Sequence, residues 1–452
     1  MAVPASSSTT ASTPQLDRLF GQGPVCAAEY LARSHSLNRI PTSADQLIPG
    51  DNAPMRRPSR SARMALLTRA RSVQLSYLRR MSGWYAPPMP GSLHIETSVL
   101  PAGDLTHLWI SDGVFVEGPL DGPTIHAGGY SVPGLVDAHA HLALASPASD
   151  ADDRERVSAS ARAHLDAGVL AVREPGSPNH ASIRLSRSDG LPTVVTAGRF
   201  LTSPGRYFPG LAREIDDDML VSAALEELEH SGGWVKVIGD FFDESGRFSV
   251  NFSTESLRET AMQVHDAGGR ITMHAMIPDS IQQAIEAGFD GVEHGSMVED
   301  GQVEAMASTG ITWTPTALID DMLRKSAEEM LGADGASFLV SGLESHGESI
   351  RQAHELGVRI LAGTDAGMNP HGVVAREIRL LHTFGMPPDA ALAAGSWDAR
   401  TYLGLPGIEI GAPADLVIFP DDPRGDLAVL DHPSLILLGG ELVRADDEAR
   451  IN

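Results

Sequence analysis

The chain has 452 residues, 42% of them apolar and 5% aromatic, and a formal net charge of −25. That charge argues against nucleic acid or an anionic membrane as partner, since both need a basic face, and no apolar run reaches the ~18 residues of a membrane span. One cysteine leaves no intrachain disulfide framework and no cysteine-built zinc cage, and it fits a reducing cytoplasm.

The charge is unevenly placed. Residues 1–88 hold eleven Arg against four Asp/Glu, a net of +7 that leaves about −32 for the rest. This stretch opens with the low-complexity "MAVPASSSTTASTP" and continues as "MRRPSRSARMALLTRARSVQLSYLRRMSGW", which has no acids. The composition predicts a disordered Arg/Ser-rich extension, or one arising from an upstream start codon. Organelle transit peptides share it. No charged n-region followed by an apolar run marks a secretory signal.

From about residue 92 short strands are predicted: "SLHIETSVL", then "LWISDGVFVEG" turning at Asp112-Gly113, then "TIHAGGYSV". Near the other end stand "ADLVIFPDD" and "LILLGGELVRA", turning at Gly439-Gly440. Between them strand and helix alternate. The strands read "GLVDAHAHL", "VLAVREPG", "TVVTAG", "WVKVIGD", "RITMHAM", "DGVEHGS", "TWTPT" and "VRILAGTDAG". Helices separate most of them, among them "STESLRETAMQVHDAGG", with Leu257, Ala261 and Val264 on one face and Gly268-Gly269 as its stop. Eight strands with helical crossovers predict an α/β protein built on a (β/α)8 TIM-like barrel, whose chemistry lies at the C-terminal strand ends.

Those ends carry metal-ligand chemistry. His139 and His141 are two apart at the end of the first strand, so both rings leave one face. Neutral imidazole is a standard zinc ligand. Lys236, His274, His294 and Asp365 stand near the ends of four further strands. Singly, each has an ordinary structural reading; six ligand-type residues converging from five strands point to metal.

Lys236 is the most informative of them. Lysine occurs at two positions only, Lys236 and Lys325; the other 32 of the 34 basic residues are arginine. Yet "WVKVIG" sets Lys236 among apolar residues, where an unpaired charge is costly. Burial and nearby metal ions push its reference pKa of about 10.4 toward the neutral amine. A neutral amine can add carbon dioxide and become a carbamate able to bridge two metals. Arginine is never neutral in a protein and cannot do so.

At these residues the sequence resembles the amidohydrolase superfamily of metal-dependent hydrolases. The resemblance runs from about 92 to 447 through "PGLVDAHAHL", "VKV", "MHA", "VEHGS", "LAGTDAG", "PPDAALAAGSWDARTYLGL" and "GIEIGAPADLVIFPDDP". It is nearest the imidazolonepropionase-like and Xaa-Pro-dipeptidase-like branch, whose members often carry a carbamylated lysine on strand four. It implies a barrel over 134–403 and a small β-sandwich domain assembled from 92–133 and 404–448. It also implies one metal on His139, His141, the Lys236 carbamate and Asp365, and a second sharing the carbamate with His274 and His294. The implied cofactors are two divalent ions, zinc by default. A bridging hydroxide would attack a carbonyl, with Asp365 passing its proton to the leaving nitrogen.

The sequence departs from the family after strand three, where Arg206 and Tyr207 stand in "GRFLTSPGRYFPG" in place of a common Gly-His pair, and after strand four, at "GDFFDES". Tyr207, His371 and Arg206 are candidate substrate contacts, and Glu174 is a residue that orders the site. The expected activity is cleavage of a C–N bond in a small N-acyl amino acid, dipeptide or cyclic amide. A mononuclear deaminase or imidazolonepropionase-type ring hydrolase, a lactonase or esterase, and a non-catalytic scaffold are the alternatives. Against the deaminase, Ile277 stands three residues beyond His274, where such enzymes place a Glu. A cytoplasmic location and a small-molecule substrate are expected; self-association into a homo-oligomer is left open.

Overall fold

The computed structural model describes residues 92–122, 124–126, 128–145, 152–185, 190–243, 245–446 and 450–451. The Arg/Ser-rich extension expected over 1–88 lies outside them. The described part is a mixed α/β fold with several sheets.

The first sheet has nine strands drawn from both flanks. Its N-terminal members are β1 (Ser92–Val99), β2 (Asp104–Ser111), β3 (Val114–Val116), β4 (Thr124–His126) and β5 (Tyr130–Val132). Asp112 and Gly113, both at positive φ (52° and 79°), make the tight turn between β2 and β3 that the Asp-Gly pair predicts.

A run of parallel strands follows: β6 (Leu135–Asp137), β7 (Val169–Glu174), β8 (Thr193–Thr196), β9 (Phe200–Thr202), β10 (Ala212–Glu214) and β11 (Trp234–Ile238). The short antiparallel pair β12 (Asp240–Phe242) and β13 (Phe248–Val250) is an excursion. Then come β14 (Arg270–Ala275), β15 (Gly291–His294) and β16 (Thr312–Thr314). They form one sheet ordered β6-β7-β8 and another ordered β10-β9-β11-β14-β15-β16. The eighth predicted strand, "VRILAGTDAG", is held only by isolated parallel bridges, Trp313 to Ile360 and Ala140 to Ala366. At Gly363 the backbone comes close to its neighbours: a Cβ there would lie 2.5 Å from the Thr314 side chain and 2.6 Å from His139 Cβ.

Helices cross between these strands as the sequence pattern predicts. Thr254–Asp266 starts at Ser253, whose hydroxyl accepts from the Ser256 amide at 3.3 Å, and it buries Leu257, Ala261 and Val264. Pro278–Ala287 has proline at its start and Gly288 in the left-handed conformation at its end.

The C-terminal strands β17 (Leu416–Phe419), β18 (Leu435–Leu438), β19 (Glu441–Ala445) and β20 (Arg450–Ile451) return to the first sheet, β17 pairing with β5 and β20 with β4. Period-two alternation divides β17 between two cores. Leu416 and Ile418 pack with Ile95, Ile110 and Phe115, whereas Val417 and Phe419 join the large core of the parallel strands. Among the described residues no helix is long and apolar enough to cross a membrane.

Candidate metal centre

His139 and His141 lie just beyond β6, and three backbone hydrogen bonds pin that segment to the Asp365 loop. The Asp365 amide donates to His139 O (2.7 Å), the Thr364 amide to the same oxygen (3.1 Å), and the His141 amide to Ala366 O (2.7 Å). Asp137 reinforces the junction: its carboxylate accepts from the His139 amide at 3.2 Å, the Thr364 amide at 3.1 Å and the Thr364 hydroxyl at 2.6 Å. Burial pushes its pKa up to about 7 against those hydrogen bonds. Asp365 is left at φ 52°, a strained angle for a non-glycine residue and one typical of functional sites.

Hydrogen-bond partners fix which imidazole nitrogens are bare. His141 Nδ1 meets Gly176 O at 2.8 Å, and a carbonyl can only accept, so Nδ1 carries the proton. His139 Nδ1 donates to Glu293 Oε2 at 2.7 Å. Burial works to raise the Glu293 carboxyl, but Arg173, Lys236 and His139 hold it well below the usual carboxylate range. With Nδ1 holding the proton, the neutral form of each ring leaves Nε2 as a lone pair. These two atoms face each other at 3.1 Å, and Asp365 Oδ1 lies 3.4 and 3.2 Å from them. In that form three acceptors converge, an arrangement that a cation would satisfy. Among the described residues these three form one buried group whose ligand atoms all lie within 4.8 Å of one another. The donor set fits a divalent ion.

The remaining predicted ligands line the same cavity. Lys236, in the middle of β11, is 1% exposed; burial, aided by Arg173 and opposed by Glu293 and Asp365, pushes its pKa down to about 8. The His274 ring stands 4.6 Å from that of His294, and the His294 ring 5.0 Å from that of His139. His274 Nε2 is buried without a hydrogen-bond partner. Burial, with Lys236 next, lowers the His274 pKa to about 3, and burial and its histidine neighbours hold His294 well below its ordinary value, so both are neutral and able to ligate. They do not close a second tight group of their own among the described residues.

The predicted substrate contacts divide. Tyr207 lines the cavity, its ring 5.0 Å from Phe241 and 6.0 Å from His274. Burial and the Asp365 charge push its phenol up, which keeps it a donor. His371 is not among the residues that line the cavity, and its Nδ1 lies 3.1 Å from His164 Nε2. Arg206 is engaged elsewhere: it donates to Asn251 Oδ1 (3.1 Å), Phe241 O (2.5 Å), Ser249 O (2.8 Å) and Ser249 Oγ (2.6 Å), clamping its loop to β12 and β13. Glu174 accepts from the Ala143 amide at 2.9 Å and so holds the turn after His141.

Sequence reasoning missed Glu293, Arg173 and Asp240. Arg173 Nη2 donates to Glu293 Oε1 at 2.6 Å, and its Nε to Ala138 O at 2.7 Å. Asp240 accepts from the Met276 amide at 2.7 Å and from the Ser280 hydroxyl, tying the end of β11 to the segment after His274. The available signal was the one that exposed Lys236: a charged residue inside an apolar strand.

Fold and cluster together define the class, an α/β protein whose strand ends gather imidazoles and a carboxylate for a divalent ion. Residues 130–443 match the model of the Amidohydrolase family, and the chain belongs to that family. Uncharacterized proteins of Mycobacterium tuberculosis (strain ATCC 25618 / H37Rv) and Mycobacterium bovis are each 35% identical to it over 353 residues, 77% of this chain and 95% of theirs. Among solved structures, a Xaa-Pro dipeptidase with bound methionine in the active site superposes with TM-score 0.66 at 19% identity, over 78% of this chain and 100% of that one. The ochratoxinase of A. niger does so with TM-score 0.66 at 20% identity, over 78% and 96%. At such identities the likeness is one of fold.

Proposed function

We propose that this chain is a binuclear metal-dependent hydrolase that cleaves a C–N bond of a small molecule, on a (β/α)8 barrel spanning 134–403 with a small β domain from 92–133 and 404–448. The observation that carries the reading is the meeting of His139 Nε2, His141 Nε2 and Asp365 Oδ1 within 3.4 Å. The likeness of fold to a Xaa-Pro dipeptidase agrees with the bond type.

His139, His141 and Asp365 would hold one ion, and His274 and His294 a second. Lys236, carbamylated, would contribute an oxygen to each. Zinc suits the nitrogen and carboxylate donors. Bound metal would make water acidic enough to ionise near neutral pH and would polarise the scissile carbonyl. Asp365 takes the proton of the attacking water and returns it to the leaving nitrogen. Glu293 and Gly176 O keep the two imidazole tautomers fixed, and the Tyr207 hydroxyl is placed to donate to a substrate oxygen. The lone cysteine and acidic charge support a cytoplasmic setting.

Asp365→Asn tests the catalytic role: turnover of an amide substrate should fall by at least ~100-fold, with the secondary structure unchanged by circular dichroism. Retention of full activity would refute it.

A further inference from the structure

The cavity has two ends of opposite character. Its polar groups sit at the ligand end: the four histidines, Lys236, Asp365 and Tyr207, with Ser326 apart from them. The rest of the lining is hydrocarbon, including Phe208, Leu211, Phe241, Met322, Met330 and Leu331. Phe241 anchors it, stacked on Phe242 at 4.3 Å and edge-on to Phe208 at 5.1 Å. Methionines among aromatic rings form a wall that adapts to an apolar shape. Among the described lining residues none on that wall is cationic.

Two arginines on the segments that build the wall are turned to backbone instead. Arg206 clamps Phe241 O and Ser249 O, and Arg324 donates to Leu343 O at 2.7 Å. A substrate carboxylate reaching this end would lose its hydration with no positive partner. A net charge of −25 works against its approach as well.

We infer that the preferred substrate is an amide, or a carbamate of the same geometry, whose group beyond the scissile bond is uncharged and aromatic or branched. A dipeptide or N-acyl amino acid with a free carboxylate at that end is disfavoured. The inference rests on the hydrolase reading for its reaction. Water's oxygen bonds to the carbonyl carbon with one proton, the C–N bond breaks, and water's other proton goes to nitrogen, giving an amine with a carboxylic acid from an amide, or with a carbonic half-ester that loses CO2 from a carbamate.

Benzanilide and its 4-carboxylate on the aniline ring differ by that one charge. Calorimetric binding to the metal-free full chain reads the pocket, and turnover by the metal-loaded chain reads the chemistry. Benzanilide should bind more than about tenfold more tightly, and Met322→Arg should abolish or invert the preference. Equal or tighter binding of the carboxylate, or no measurable binding of either, overturns the inference. A preserved binding preference without any turnover upholds the ligand class and overturns the hydrolase reading alone.

Discussion

Glu293 Oε2 accepts a hydrogen bond from His139 Nδ1 at 2.7 Å, and the other oxygen of the same carboxylate receives Arg173 at 2.6 Å. One buried side chain thus turns the first histidine's Nε2 toward Asp365 and neutralises an arginine beneath the cluster. Glu293→Gln keeps the shape but can present its NH2 to the ring. Metal affinity, read by competition with a chromophoric chelator, should fall 10–100-fold. Unchanged affinity would mean that the hydrogen bond does not set the tautomer.

Lys236→Ala should lower metal content and activity together, with partial rescue by a short carboxylic acid that replaces the carbamate oxygens. Lys236→Arg should not support activity, because a guanidinium is not deprotonated in a protein. Metal analysis with and without propionate checks both; a Lys236→Ala chain that keeps its metal would refute the bridging role.

Gly176 lies at φ 120°, and a Cβ there would meet the Phe200 ring at 2.7 Å and Lys236 Cγ at 3.1 Å. Its carbonyl also fixes His141. Gly176→Ala should cost about 1–3 kcal/mol of stability by denaturant titration and weaken metal binding as well. Loss of stability alone would separate the backbone from the site.

Glu227 is buried at 1% exposure beneath Arg199, Arg213 and His180, with Arg199 Nη2 at 2.7 Å and His180 Nε2 at 2.8 Å. Burial tends to raise its pKa, but His180 and Arg199 hold it well below the usual value. A depressed folded pKa gives stability that is present above the unfolded value of about 4.3 and lost as pH falls through the folded one. Melting temperature should therefore fall more steeply on acidification below pH ~5 in the native chain than in Glu227→Gln. That variant should be less stable at neutral pH by about 1–3 kcal/mol, since Arg199 loses its carboxylate partner while Arg213 keeps Glu226 at 2.6 Å.

The ligand-type residues were legible because each is a polar group where strand alternation predicts hydrocarbon. Lys236 stood out for a second reason, the near absence of lysine elsewhere. Glu293 carried the same signal, a charged residue in a strand buried at every position, but it adjoins His294, and its partner Arg173 lies 120 residues away with no pattern joining the two. Arg206 was misleading, because its partners Phe241 and Ser249 lie 35 and 43 residues away on a hairpin that the sequence pattern does not join to its loop. The last predicted strand, 358–367, carries the apolar run of a strand, yet isolated bridges are what hold it.

Counting the divalent ions in full-length chain reconstituted with zinc and bicarbonate tests the central claim most directly. The account predicts about two ions per chain, falling to one or none in His139→Ala and in Lys236→Ala. One tightly held ion in the native chain, unaffected by Lys236→Ala, would contradict it.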